Sequence, residues 1–269
     1  MSLFKHIEGK IKSTDNVNYA IFGKNRNTNE GEYGGETLTN LASGRGFCSP
    51  ILQYVNYFRV TRKIKQDDIV VDVGAGCCEL LKILYSNRIK TKYIGLEVNK
   101  HNFNKGLELV KKVNNSKNYK ALLLKKDLTK GIPLRDNISD NTVCSLVMEH
   151  MRKDDGINLF KEMVRVTKVM GLIHITIPYH EGFTPDNEHL YEWKMKEFLS
   201  MVKKYKNINL VDIFYIEASV NQIKKSSQRE LYGILKSRFH PIFLRLMIPS
   251  LFDNSDKGNI YYALLQKTK

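Results

Sequence analysis

Acidic residues are scarce in this chain. Aspartate and glutamate number 28 against 43 lysines and arginines, a formal net charge of +15 over 269 residues. Cysteine is rarer still, with four, beside six prolines and one tryptophan. Cys48, Cys77, Cys78 and Cys144 contain no Cys-x-x-Cys pair, which removes the common thiol metal and redox motifs. Reduced thiols are a simpler reading than a disulfide framework. No apolar run approaches the roughly 18 residues of a membrane span, and the first ten residues lack the apolar core of a signal peptide. The expectation is a cytoplasmic protein, with peripheral membrane contact still open and the oligomeric state unknown. The positive charge points towards polyanions. Its lysines are nevertheless scattered in pairs through an asparagine-rich sequence, so a solvated face is the simpler reading and nucleic acid is not favoured.

What is present centres on Val70-Val71-Asp72-Val73-Gly74-Ala75-Gly76-Cys77-Cys78-Glu79-Leu80-Leu81. A β-branched run enters a glycine turn and leaves into an apolar-periodic helix, the strand–turn–helix order of a nucleotide-binding α/β domain. Ahead of it, residues 1–49 are polar and rich in glycine and asparagine, and read as a lid or cap segment. From Pro50 the apolar spacing is helical, and a domain spans residues 50–269.

Strands are expected at 69–73, 93–98, 119–125, 142–148, 172–177, 209–216 and 259–266, with helices at 79–87, 103–113, 156–166 and 195–205. Gly171 is read as the exit of the helix before the fifth strand. A basic helical insertion is expected at about 218–256. The alternation predicts a Rossmann-like α/β fold, with a seven-stranded, mostly parallel sheet, helices on both faces and the last strand antiparallel.

At Asp72-x-Gly74-x-Gly76 the chain resembles the class I S-adenosylmethionine-dependent methyltransferases. Glu97 ends the second strand and Asp127 the third. Ile132-Pro133-Leu134-Arg135-Asp136 is similar to that family's proline loop, and Met148-Glu149-His150 to the Leu-Glu-His that closes its fourth strand. The resemblance implies S-adenosylmethionine as cofactor, held by Asp72, Gly74, Ala75, Gly76, Glu97, Val98, Asp127, Leu128 and Met148. Glycines at 74 and 76 let the backbone turn tightly and approach a ligand closely. Glu97 is spaced to accept ribose hydroxyls, and Asp127 to accept from an adenine amino group. Asp72 would accept from the donor's amino group or order the turn. A dinucleotide-binding domain would place a third glycine where Glu79 stands, and a carboxylate there repels a pyrophosphate but tolerates a sulfonium.

Methyl transfer chiefly requires alignment, and a base only when the acceptor must lose a proton. Under the resemblance, His150, Glu149 and His180 are candidate catalytic residues, and Tyr33, Tyr179 and His189 candidate acceptor contacts. His174, inside the fifth strand, reads as a satisfied core histidine. Glu149, His150 and His189 could assemble an oxygen–nitrogen metal site, and His189-Leu190-Tyr191-Glu192-Trp193 resembles a segment of plant-type small-RNA 2′-O-methyltransferases, which ligate magnesium. That family has a further glutamate where this chain has Leu146, so no metal is expected. The resulting expectation is a methyltransferase acting on an O or N atom of a small metabolite or surface-glycan precursor. A nucleic-acid methyltransferase and a non-catalytic S-adenosylmethionine-binding scaffold are the alternatives.

Overall fold

The structure, a computed structural model, describes residues 57, 59–116, 119–178, 189–216, 253–254 and 260–269. The lid segment 1–49, Tyr33, Tyr179, His180 and most of the expected insertion lie outside the described residues.

Strand β1 (Ile69–Val73) is buried along its whole length, as a parallel strand covered on both faces must be. Helix α1 (Glu79–Ser86) follows, then β2 (Lys92–Glu97), α2 (Lys100–Asn114), β3 (Lys120–Lys125) and β4 (Ser139–Ser145). After these come α3 (Lys153–Val166), β5 (Thr167–Pro178), α4 (Met195–Val202), β6 (Ile208–Ile216), the two-residue β7 (Asp253–Asn254) and β8 (Ile260–Lys267).

One sheet runs β3-β2-β1-β4-β5-β8-β6-β7. β1 pairs in parallel with β2 and β4, and β4 with β5. β8 lies antiparallel between β5 and β6. The seven long strands match the expected mostly parallel sheet closed by an antiparallel last strand. The eighth is the short β7, paired to the end of β6, inside the segment read as a helical insertion.

Alternate residues of β1 feed opposite layers. Val71 and Val73 join α3, Trp193 and Phe198 on one face. Val70 joins α1 and α2 on the other, with Tyr57, Val60 and Ile64 of the lead-in. The carboxyl ends of the first four strands therefore open onto one edge, where such sheets bind ligands.

Two expected boundaries are corrected. β4 ends at Ser145, not Met148, because Leu146 adopts φ +56° and turns the chain into a 3-10 turn at Met148–His150. Gly171 is not a helix exit, since β5 already begins at Thr167, whose hydroxyl donates to Met163 O at 2.6 Å. Gly171 instead lies at a register shift, where an added Cβ would sit 2.9 Å from Lys168 O. Lys267 Nζ secures this junction by donating to Asn137 Oδ1, Val164 O and Thr167 O.

Candidate functional site

The glycine turn folds back onto β2. Gly74 and Ala75 N–H groups both donate to Leu96 O at 2.9 Å. Gly74 and Gly76 have φ of +75° and +56°, which glycine adopts without steric cost. A Cβ at Gly74 would come within 2.3 Å of Val147 Cγ2. That packing brings the turn after β1 and the turn after β4 against each other.

Glu97, 6% exposed at the end of β2, accepts from Gly76 N–H at 2.8 Å through Oε2 and from Asn99 N–H at 2.6 Å through Oε1. Burial raises its pKa, and these amides with that of Val98 oppose the rise. A carboxylate has about four acceptor positions, so with three amides counted one remains for a hydroxyl. Asp127 Oδ1 accepts from the Thr129 N–H and hydroxyl and caps the 3-10 turn Leu128–Lys130, with Leu128 buried.

Asp72 has no exposed surface. Its Oδ2 accepts from Tyr93 OH at 2.7 Å, while Oδ1 has no hydrogen-bond partner among the described residues. Burial pushes its pKa up to about 7; the Tyr93 hydrogen bond opposes this, and Glu79 and Glu97 add to it. Burial also raises Glu79. Three carboxyls around one glycine turn suit a ligand carrying positive charge. The residues present therefore fit a donor with a sulfonium, an ammonium and a ribose.

Beside this turn lies a second cluster. Glu149 is 3% exposed, and Oε2 has no hydrogen-bond partner among the described residues. Burial alone drives its pKa up to about 8, against a single backbone hydrogen bond. His150 Nε2 is 3.8 Å from Glu149 Oε1, and the His150 ring stacks on His189 with centroids 5.0 Å apart. Donor atoms of Glu149, His150 and His189 lie within 4.8 Å of one another.

Of the expected donor residues, Asp72, Gly74, Ala75, Gly76, Glu97 and Val98 gather at the first turn. Asp127 and Leu128 occupy the turn after β3. Met148 is fully buried in the core, where it supports the second turn. Three contributors escape sequence reading. Tyr93 reaches Asp72 diagonally across the β1–β2 ladder, in which Asp72 faces Gly95. Gly95 leaves room for that ring, since a Cβ there would sit 3.1 Å from Tyr93 Cε1. Trp193 covers Gly156 of α3 and donates through Nε1–H to Met148 O at 3.3 Å. Only the alternation of β2 carries a signal for the first two. His174 is the satisfied core histidine expected, held between Tyr262 OH (2.7 Å) and Asn141 Oδ1 (3.0 Å).

Residues 71–175 match the family model described as "Methyltransferase domain". No curated protein sequence matches the chain significantly. Among solved structures, the chain is similar to one from the complex between the Haloferax volcanii Trm112 methyltransferase activator and a methyltransferase. That match has TM-score 0.58 and 12% identity, covering 88% of this chain and 98% of that one. Phosphoethanolamine N-methyltransferase 2 of Haemonchus contortus, solved with S-adenosyl-L-methionine, matches with TM-score 0.52 and 13% identity. It covers 79% of this chain and 52% of that one. The [4+2]-cyclase SpnF matches with TM-score 0.52 and 14% identity over 78% of this chain and 81% of that one. At these identities the likeness shows the fold.

Proposed function

We propose, from the match of residues 71–175 to the methyltransferase-domain model and from the acids around the glycine turn, that the chain is a class I S-adenosylmethionine-dependent methyltransferase acting on an O or N atom of a small metabolite or surface-glycan precursor. Bound S-adenosylmethionine supplies an activated methyl on a sulfonium leaving group. In this reading Glu97 takes a ribose hydroxyl, Asp127 and the Leu128 amide the adenine, and Asp72 Oδ1 the ammonium.

The observation that carries the acceptor reading is the contact of the two turns. Gly74 abuts Val147, two residues before a carboxyl that is 3% exposed. In this reading a methylated atom would approach the cluster of Glu149, His150 and His189. A protruding hydroxyl or amine reaches a buried carboxyl better than a flat surface does. Glu149 and His150 align that group and take its proton if it carries one. Tyr33, Tyr179 and His180 are further proposed acceptor contacts. No helix among the described residues is long and apolar enough to cross a membrane, and we place the reaction in the cytoplasm.

The test is turnover of isotope-labelled donor against fractionated small-molecule and glycan-precursor pools, with mass spectrometry of the product. The expected result is label in a low-mass O- or N-methyl product. Calorimetry that finds no S-adenosylmethionine binding would sink the reading, as would label confined to nucleic acid.

A further inference from the structure

Two segments far apart in the chain deliver three metal-binding side chains to one point. Glu149 and His150 belong to the turn after β4, and His189 precedes α4. One donor atom of each lies within 4.8 Å of the other two, and Glu149 Oε1 is 3.8 Å from His150 Nε2. The two segments are tied together through backbone carbonyls. Leu190 and Tyr191 N–H groups both donate to Glu149 O at 2.8 and 3.2 Å. Trp193 Nε1–H donates to Met148 O, and Tyr261 OH donates to Trp193 O at 2.8 Å. The segment bearing His189 is thus tied to the backbone of the turn bearing Glu149 and His150.

A second observation is independent of that convergence. Glu149 Oε2 is buried and has no hydrogen-bond partner among the described residues. An acceptor left so is unfavourable, and a bound cation would remove the defect.

We infer that Glu149, His150 and His189 bind one divalent transition-metal ion of the zinc class, in preference to magnesium. Two imidazoles and one carboxylate suit zinc and its neighbours, whereas magnesium takes oxygen donors in a near-octahedral shell. Position 146, which precedes Glu149 by three residues, is a leucine and adds no second carboxylate. Three protein donors are one short of a tetrahedral set, the number found where zinc keeps a position for water or substrate. A tetrahedral zinc with bonds of about 2.1 Å draws its donors to about 3.4 Å from one another. The side chains must close by roughly an ångström, which small χ rotations supply. The inference rests on the proposed function only for its consequence, namely that an acceptor oxygen would fill the remaining position, where the ion would lower that oxygen's pKa in place of Glu149 and His150 acting as bases. Metal uptake itself is separable from donor binding.

The test uses the untagged full-length chain, stripped with chelator and titrated with Co²⁺ as the visible probe for zinc. A d–d absorption saturating at one equivalent is expected. Zn²⁺ should displace it, and millimolar Mg²⁺ should leave it unchanged. His189→Ala and Glu149→Gln should each weaken Co²⁺ binding at least tenfold while keeping S-adenosylmethionine affinity within about twofold. Circular dichroism checks folding, and the milder His189→Asn replaces His189→Ala should that variant unfold. No saturable absorption overturns the ion site, as does uptake that survives all these substitutions. Wild-type Co²⁺ uptake without donor binding overturns the methyltransferase reading and leaves the ion site standing. Donor binding without Co²⁺ uptake does the reverse.

Discussion

Asp72 shows how one residue's chemistry depends on its neighbours. With its pKa near 7, its carboxyl is half protonated at neutrality, and only the carboxylate pairs with an ammonium. Donor affinity measured by calorimetry should therefore be about tenfold weaker at pH 6 than at pH 8. Asp72→Asn should bind donor weakly with no such dependence. Removing the Tyr93 hydroxyl, which holds this pKa down, should move the midpoint of the wild-type profile to higher pH in Tyr93→Phe. The folding consequence has its own sign. A pKa raised above the unfolded value of about 3.9 gives stability that is full below pH 3.9 and lost as pH rises through 7. His174 has the opposite sign. Burial lowers its pKa to about 3, so its stability contribution is full above the unfolded value of about 6.5 and is lost as pH falls below that towards 3. Its neutral ring donates from Nε2 to Asn141 and accepts at Nδ1 from Tyr262 OH. In urea unfolding, His174→Phe should lose stability at pH 7 and show a shallower decline between pH 6.5 and 4 than the parent.

Elements set how much of this was legible beforehand. Asp72, Gly74, Gly76, Glu97 and Asp127 could be read because each stands at or just past a strand end, and strand ends follow from short β-branched and apolar runs. The Tyr93–Asp72 bond could not, because it depends on the β1–β2 register, which no local pattern states. The end of β4 was misplaced for another reason. Leu146 is apolar and extends the strand pattern, yet its positive φ breaks the ladder. The same limit hid the fit of Trp193 onto α3, where Gly156 is the only residue small enough, a Cβ there lying 2.7 Å from Trp193 Cζ2. Gly156→Ala should consequently overpack the contact and cost about 1–3 kcal/mol in denaturant unfolding. It should lower kcat/KM for the acceptor while leaving donor affinity intact, since Trp193 anchors the turn after β4 and not the glycine turn. Gly95→Ala is the mirror case. Its Cβ would meet Leu123 Cδ1 at 2.8 Å and Ala75 Cβ at 3.0 Å, so donor affinity should fall along with stability.

At the scale of the whole molecule, fold and charge bear on the donor and on polyanion binding, and the site bears on the acceptor. The fold is similar to that of a [4+2]-cyclase as well as to that of a methyltransferase, so the reaction must be argued from the site and not from the architecture. The donor acids and the methyltransferase-domain match support the proposed methyl donor, whereas the +15 charge points to polyanions in general. Salt separates an incidental charge from a used one. If the lysines form only a diffuse face, a generic oligonucleotide should bind at 50 mM salt through a few phosphate contacts. For about six of these, affinity should fall roughly 10³-fold by 200 mM. Under the proposed function, label transfer to the low-mass acceptor should persist across the same range, because Glu149 of the turn after β4 is buried. Fluorescence anisotropy and labelled turnover in one salt series measure both. Binding that survives 200 mM salt, accompanied by label in the oligonucleotide, would reverse the assignment. The basic face would then be the acceptor surface, and His150 and His189 would stand at the edge of a nucleic-acid track.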